Sequence, residues 1–244
     1  MKDLLEIKTK HKINLDNINY LIYIIKTKKF RKNINYVTDI SSIIRRAFNL
    51  IKENVDKKKW FVVISEKVIA VSQGRSYLIK DINPRIFARI LYRFVRKNPY
   101  GIGLRSPWTM ELAIKEAGII KIIYASIISA ITRPFGIKGL FYSILGRKIA
   151  SIDGPTKYSI YPSNVSAKLG PLKPEETAKK LHKQVLKTAT IKEFAGVVIL
   201  DANDLGRDVL GNSTNIDNQI IEELFKSNPM GQSDEQTPIS IVFF

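Results

Sequence analysis

The hydrophobic pattern of the chain predicts several buried strands. Runs of β-branched and aromatic residues favour strands at Asn19–Lys26, Trp60–Ser65, Ala195–Leu200 and Ile239–Phe244. In the third run the apolar residues are continuous rather than alternating, which is typical of a strand that is buried on both faces. We therefore expect four strands, of which the third is buried on both faces.

Apolar residues at helical spacing predict the helices. Ile40, Ile43, Ile44 and Ala47 recur at that spacing, and Thr38 or Asp39 can cap the helix. Ser106 and Pro107 mark another helix start, and Gly118 marks its end. The full set of predicted helices is Val37–Val55, Pro84–Arg96, Ser106–Gly118, Pro174–Ala189 and Ile216–Phe225. Because strands and helices follow one another irregularly, the pattern favours the α+β class.

One segment is more apolar than the rest. Ile119–Ile131 has thirteen residues including Lys121, which is too short to span a bilayer. It is interrupted at Thr132–Gly136, and a second apolar and basic piece follows at Ile137–Ile149. The segment is interpreted as buried core or a dimer face, and the alternative is a membrane-surface or re-entrant segment.

Composition and charge narrow the possible functions. The 244 residues include no cysteine, which excludes disulfides, thiolate metal sites and thiol nucleophiles. The start of the chain lacks the apolar core of a signal peptide, so we expect a cytoplasmic protein. The net charge is +18, with about +20 in residues 1–150 and about −2 in residues 151–244. An anionic partner would explain this excess, and a Lys-, Ile- and Asn-rich coding bias is the alternative.

Candidate chemistry lies in three acidic or amide-rich stretches. In A-G-V-V-I-L-D-A-N-D-L-G-R-D, Asp201 is expected directly after the strand, beside Asn203, Asp204 and Asp208. Such oxygen-rich clusters prefer Mg²⁺, Mn²⁺ or Ca²⁺, although an Asx-turn with a helix cap is the simpler alternative. The other two stretches are S-I-D-G-P, with Asp153, and M-G-Q-S-D-E-Q-T-P at residues 230–238.

Several familiar sites are absent from the sequence. No P-loop and no G-x-G-x-x-G pattern occurs. The two histidines, His11 and His182, do not pair with a plausible nucleophile, so a histidine-based hydrolase is not expected.

Four stretches in order make the chain resemble the coenzyme F420-0:L-glutamate ligase family from about Thr27 onward, in a bacterial branch of uncertain substrate. They are V-V-I-S-E-K-V-I-A-V-S-Q-G-R (62–75), S-I-D-G-P with Y-P-S-N (151–164), G-V-V-I-L-D-A-N-D-L-G-R (196–207) and M-G-Q-S-D-E-Q-T-P (230–238). The resemblance implies one ligase-like unit over residues 1–244, with an apolar insertion at 118–149. It also implies an α+β fold with mixed or antiparallel sheets in two lobes, and a homodimer.

The same resemblance implies a reaction and its residues. The family joins a substrate carboxylate to L-glutamate through an acyl phosphate, with GTP and Mg²⁺ or Mn²⁺. The residues implied as catalytic are Asp153, Asp201 and Lys67. Those implied as metal ligands are Asp153, Asp201, Asp204 and Gln232. Those implied as nucleotide-binding are Ser65, Lys67, Asn164, Met230, Gly231, Gln232, Ser233 and Asp234.

Three departures from the family pattern support a second hypothesis. Ala202 stands where the family often has threonine, Glu66 stands where it has a small polar residue, and K-T-K-K-F-R (26–31) replaces its N-terminal nucleotide loop. The alternative is a non-catalytic member that binds an anionic ligand, a membrane surface or nucleic acid through its basic half. For the ligase itself we expect no nucleic acid, and a possible peripheral membrane contact through residues 119–149.

Overall fold

The structure is a computed structural model that describes residues 5–55, 58–95, 102–137, 139–155, 164–187, 193–203, 206–231 and 235–244. The strands are β1 (Glu6–Leu15), β2 (Ile18–Lys26), β3 (Trp60–Ser65), β4 (Ser76–Leu78), β5 (Ser166–Lys168), β6 (Phe194–Asn203), β7 (Gly206–Asn212) and β8 (Ile239–Phe243). The α-helices are α1 (Tyr36–Ile51), α2 (Glu66–Ser72), α3 (Ile86–Leu91), α4 (Pro107–Ala117), α5 (Ile119–Thr132), α6 (Leu140–Leu145), α7 (Arg147–Ala150), α8 (Pro174–Lys187) and α9 (Asn218–Leu224).

The chain forms two compact units. The first comprises Met1–Gln73 and Leu172–Phe244, and the second comprises Gly74–Pro171. The first contains a six-stranded sheet in the order β1-β2-β8-β3-β6-β7. The pair β3–β6 is parallel and every other neighbouring pair is antiparallel. The predicted α+β class with a mixed sheet is therefore confirmed.

Helices cover both faces of this sheet because alternate strand residues point to opposite sides. On one face, α1 and α8 pack through Ile40, Ile44 and Leu181 against a layer that includes Trp60. The Trp60 ring stacks on Phe48 at 4.3 Å between ring centroids. On the other face, α9 packs against the alternate residues of the same strands. The central strands are therefore buried on both sides, as their continuous apolar runs predict.

Helix α8 approaches β7 closely at its first turn. A Cβ added at Gly211 would lie 2.5 Å from the backbone of Pro174, so only glycine permits this approach. The backbone N–H of Asn212 donates to Glu175 Oε2 at 2.9 Å, and this hydrogen bond lowers the pKa of the Glu175 carboxyl. These contacts set the position of α8 on the sheet.

The second unit is mainly helical, with the short antiparallel pair β4–β5. Its core includes Leu104, Met110, Ala113 and Ile149. The predicted helix over Ser106–Gly118 is confirmed: the side chain of Ser106 accepts a hydrogen bond from the Thr109 N–H at 3.1 Å. At the other end, Gly118 has φ +82° and closes α4.

Three predicted helices are shorter than expected. The predicted Ile216–Phe225 helix spans only Asn218–Leu224, because Asp217 is its N-cap. The predicted Val37–Val55 helix is α-helical only to Ile51 and then continues as a 3-10 turn. The predicted Pro84–Arg96 helix begins as α3 at Ile86, because Arg85 is extended and its N–H donates to Glu111 Oε2 at 3.0 Å. The start of α3 is set by this tertiary contact, which periodicity does not encode.

The apolar segment after Gly118 is helical. It forms α5, a 3-10 turn at Arg133–Phe135, and then α6 and α7. Within the described ranges, the structure contains no helix that is both long enough and apolar enough to cross a membrane. In α5 the buried residues are Ile122 and Ala125, so packing inside the chain accounts for one side of this helix.

Candidate functional site

Several of the predicted site residues meet at one edge of the six-stranded sheet, which we call the candidate edge. Strands β2, β3 and β6 end there, and β7 and β8 begin there, because β2, β3 and β6 run in one direction and β7 and β8 in the other. The ends of parallel and alternate antiparallel strands are rigidly placed, which suits functional groups.

Ser65 and Lys67 lie at the centre of the candidate edge. Ser65 is the last residue of β3, and its N–H donates to the Pro238 carbonyl oxygen at 2.9 Å. Helix α2 follows at once, which brings Lys67 into its first turn. Lys67 is half-buried, whereas the residues on either side of it, Glu66 and Val68, are buried. The sequence stretch that resembles a phosphate-binding position thus forms a strand end and a short helix.

Asp201 lies inside β6 and not beyond its end, so the predicted position after the strand is wrong. Strand β6 continues to Asn203 because β7 pairs with it, and this pairing sets Asp201 directly opposite Asp208. Paired residues on antiparallel strands share a face, so both carboxylates project from the same side of the sheet. Two carboxylates on one face of neighbouring strands can supply oxygen ligands to a divalent cation.

The segment before β8 also lies at the candidate edge. Thr237 Oγ1 donates to the Met230 carbonyl oxygen at 2.6 Å, and the Gln236 carbonyl oxygen accepts from the Thr27 N–H at 2.9 Å. Gly231 has φ +76°, and a Cβ there would lie 2.7 Å from Glu235 Cδ. Met230 is buried, and Gly231 is exposed. The described residues of this segment are therefore joined to one another by the Thr237–Met230 bond and to the residue after β2 by the Gln236–Thr27 bond.

Cations from the N-terminal region reach the same edge. Strand β2 ends at Lys26, and Thr27 bonds to the segment before β8. Lys28, Lys29 and Arg31 follow and are exposed. The K-T-K-K-F-R stretch therefore supplies exposed positive charge just beyond the end of β2.

The second unit contains the other two described site residues. Asp153 and Lys168 form an isolated antiparallel bridge, with N–H to O distances of 3.0 and 2.9 Å. Lys168 Nζ lies 3.4 Å from Asp153 Oδ2; the lysine side chain is 3% exposed and the aspartate side chain 49%. Asn164 has φ +64° and is exposed just before β5. The sequence did not indicate the lysine partner of Asp153.

The remaining predicted ligands are Asp204, Gln232, Ser233 and Asp234, which lie outside the described residues. Within the part of the chain that the structure describes, no three Asp, Glu or His side chains form a metal-binding group. The sequence placed Asp208 in the acidic cluster around Asp201, but the resemblance does not imply it as a metal ligand. Its pairing could have been predicted only if G-R-D-V-L-G-N had been interpreted as a strand.

His182 lies on α8 and is partly buried. Its ring makes an edge contact with Phe194 at 5.2 Å between centroids. Burial lowers the pKa of His182, and a hydrogen bond with the backbone of Ser213 opposes this in part.

We expect His182 to make the fold sensitive to mild acid. Its pKa is depressed in the folded state, so below its ordinary value of about 6.5 the unfolded chain binds the proton more readily. Stability is therefore complete above that pH and falls as the pH drops from about 6.5 toward the lower folded pKa. Urea unfolding of wild type and His182→Gln at about pH 7.5 and about pH 5.5 measures this difference.

In the His182→Gln variant the loss of stability on acidification should be smaller than in wild type. Lys183→Gln, an exposed neighbour on α8, is the matched control and should keep the wild-type pH dependence. If the stability of wild type and of His182→Gln depended equally on pH, His182 would not be the cause of the acid sensitivity.

No model of a known protein family matches this chain, and no curated protein matches it in sequence. The resemblance to the coenzyme F420-0:L-glutamate ligase family therefore stays a prediction that rests on the four quoted stretches.

Proposed function

We propose that this protein is a ligase that uses a nucleotide and a divalent metal to join a substrate carboxylate to an amino acid through an amide bond. The observation that carries the proposal is the meeting of Ser65, Lys67, Asp201 and residues 235–238 at one sheet edge. These residues are far apart in sequence, and they belong to three of the four stretches that resemble the family.

The chemistry of ligation suits this set of residues. A carboxylate is a poor electrophile, so its oxygen first attacks the γ-phosphorus of the nucleotide, which breaks the β–γ bond and releases the diphosphate. The amine of the amino acid then attacks the acyl carbon, and inorganic phosphate leaves. Both steps bring anions together, so positioning and charge neutralisation supply most of the catalysis.

Asp201 and Asp208 would hold the metal. Two carboxylates opposite each other on neighbouring strands provide the oxygen ligands that Mg²⁺ and Mn²⁺ prefer. The bound metal would supply positive charge to the phosphate oxygens. Asp208 is an addition to the predicted ligands, whereas Asp204 and Gln232 keep their predicted roles as further ligands.

Lys67 would bind a phosphate oxygen, and the backbone around Met230 and Gly231 would contact the nucleotide. Lysine is a compact point charge that suits phosphate, and the buried helix around it restricts its position. Asp153 and Asn164 belong to the second unit. Their roles, metal binding for Asp153 and nucleotide binding for Asn164, stay predictions that rest on the family resemblance. The choice of GTP and L-glutamate, the homodimer and the cytoplasmic location also stay predictions.

Calorimetric titration tests the proposal. GTP and ATP are titrated into wild-type protein without metal, with Mg²⁺ and with Mn²⁺, and we expect binding that requires the metal. In Lys67→Gln the affinity should fall about tenfold, because one charge-assisted contact to phosphate is lost.

Lys179→Gln is the matched control, since Lys179 is a surface lysine whose ion pair with Glu175 is exposed. It should bind nucleotide as wild type does. An absence of nucleotide binding under every metal condition would overturn the ligase proposal.

A further inference from the structure

Helix α5 exposes a continuous apolar stripe. Ile120, Tyr124, Ile127 and Ile131 recur at intervals of three or four residues, so they share one side of the helix. Their side chains are between 53% and 82% exposed. The buried residues Ile122 and Ala125 lie on the opposite side. The stripe, which we call the α5 stripe, continues into Phe135, which is 79% exposed in the following 3-10 turn.

Helix α3 exposes a second apolar stripe in the same unit. Ile86, Ile90 and Phe94 recur every four residues through α3 and the 3-10 turn that follows it. They are 72%, 49% and 73% exposed, whereas Ala88 is buried. Soluble surfaces seldom carry several large apolar side chains in one row, so each stripe indicates an interaction surface.

The charge of the second unit identifies the kind of partner. Residues 74–171 contain sixteen Lys and Arg and four Asp and Glu, which gives +12 of the total +18. Three of the four acids are in ion pairs within the unit: Glu111 with Arg85 at 2.8 Å, Glu116 with Arg75 at 3.0 Å and Asp153 with Lys168 at 3.4 Å. The unit therefore has few acidic side chains left to offset its many lysine and arginine residues.

Basic residues flank both stripes. Lys121 and Arg133 are exposed at the two ends of α5, and Arg89 and Arg93 are exposed beside the α3 stripe. Lysine and arginine in this position can place their charged ends among lipid headgroups while apolar neighbours enter the acyl region. Helix α5, at about 1.5 Å per residue, is about 21 Å long, which is shorter than the bilayer core of about 30 Å.

We propose that the second unit binds the surface of an anionic lipid membrane through the α5 and α3 stripes. An anionic bilayer surface offers both negative charge and an apolar layer a few ångströms deeper, which matches the two features together. A second copy of the chain would place one strongly basic surface against another. A nucleic acid would match the charge and leave the apolar stripes in water.

This inference goes beyond the proposed ligase function and does not depend on it. It is tested without nucleotide, by co-sedimentation of the full chain with vesicles of phosphatidylcholine alone or with about one third phosphatidylglycerol. We expect binding only to the anionic vesicles, and weaker binding when the salt rises from about 0.1 M to about 0.5 M.

Variants separate the apolar contribution from the charge. Ile120→Ser with Ile127→Ser should weaken vesicle binding about tenfold or more, because two apolar side chains no longer enter the lipid. Lys121→Gln with Arg133→Gln should weaken it by about fivefold for each charge removed. The control pair is Ile34→Ser with Leu186→Ser, which are 93% and 46% exposed on the first unit and should leave binding unchanged.

Three results would overturn the proposal. The first is no binding to anionic vesicles at low salt. The second is a combined result: the serine pair on α5 leaves vesicle binding unchanged, and the protein retains duplex DNA as well as it retains anionic vesicles. That result would indicate a surface that binds polyanions in general. The third is a dimer in sedimentation velocity that the same serine pair dissociates, without vesicle binding, which would identify the stripe as an interface between copies. Circular dichroism confirms that each variant is folded.

Discussion

Asp201→Asn is expected to remove metal-dependent nucleotide binding. Asparagine keeps the shape of the side chain and removes its charge, so the carboxylate pair with Asp208 loses half of its attraction for Mg²⁺ or Mn²⁺. Substitution of a residue that supports a metal ligand already lowers metal affinity about 10–100-fold. We therefore expect substitution of the ligand itself to weaken metal-dependent nucleotide binding more than about 100-fold. Calorimetry with GTP and ATP in each metal measures it.

The stability of Asp201→Asn separates a lost ligand from a damaged fold. Asp201 is near the end of β6 and only partly buried, so thermal unfolding without metal should stay within about 1 kcal/mol of wild type. Asp16→Asn is the matched control because Asp16 lies in the β1–β2 turn at the opposite edge of the sheet, where φ +51° suits asparagine as well. Full nucleotide binding by Asp201→Asn would refute the proposed metal site.

Arg75→Met is expected to cause the largest loss of stability among the substitutions considered. Arg75 is 7% exposed, its Nη2 lies 3.0 Å from Glu116 Oε1, and its Nε donates to the Gly170 carbonyl oxygen. Removing one partner of a buried ion pair leaves the other charge uncompensated, which costs about 3–5 kcal/mol. Urea unfolding monitored by fluorescence and circular dichroism measures this cost.

A double-mutant cycle tests the reason for that loss. Adding Glu116→Gln to Arg75→Met removes the uncompensated carboxylate, so the double variant should be more stable than Arg75→Met alone. Lys179→Met breaks an exposed pair with Glu175 and is the control, with an expected cost of about 0–1 kcal/mol. If Arg75→Met cost no more than Lys179→Met, the ion pair would not stabilise the second unit.

Local rules predicted the elements whose signals are strong. Trp60–Ser65 is a strand with the predicted bounds, and the predicted Ile239–Phe244 strand ends one residue earlier. The α4 helix begins after the predicted cap and ends at the predicted glycine. In these cases propensity, capping and burial all favour the same structure, so no tertiary contact has to override them.

Other elements had weaker signals and were not predicted. Strand β1 alternates exposed and partly buried residues with many lysines, and it joins β2 through the Asp16–Asn17 turn. Strand β7, with G-R-D-V-L-G-N, contains two glycines and three polar residues, so its own propensity is low. Pairing with β6 determines β7, and this pairing is why Asp201 lies inside a strand.

The candidate site was likewise predicted only in part from the sequence. Residue types and their order along the chain indicated oxygen ligands at Asp201, a cation at Lys67 and an amide-rich loop at 230–238. The sequence could not indicate that Asp208 faces Asp201, that Ser65 bonds to Pro238 or that Lys168 accompanies Asp153. Each of these contacts joins residues that depend on strand register or on long-range packing.

The sequence by itself determined the buried strands, the capped helices, the absence of thiol chemistry and the uneven positive charge, because these follow from composition and near-neighbour spacing. The tertiary structure alone decided the strand order β1-β2-β8-β3-β6-β7, and through it which loops share the candidate edge. It also decided which side of α5 is buried, since apolar residues occur on both sides of this helix and do not indicate the side that packs. Both outcomes depend on contacts between distant segments, which become specific only when the whole chain packs.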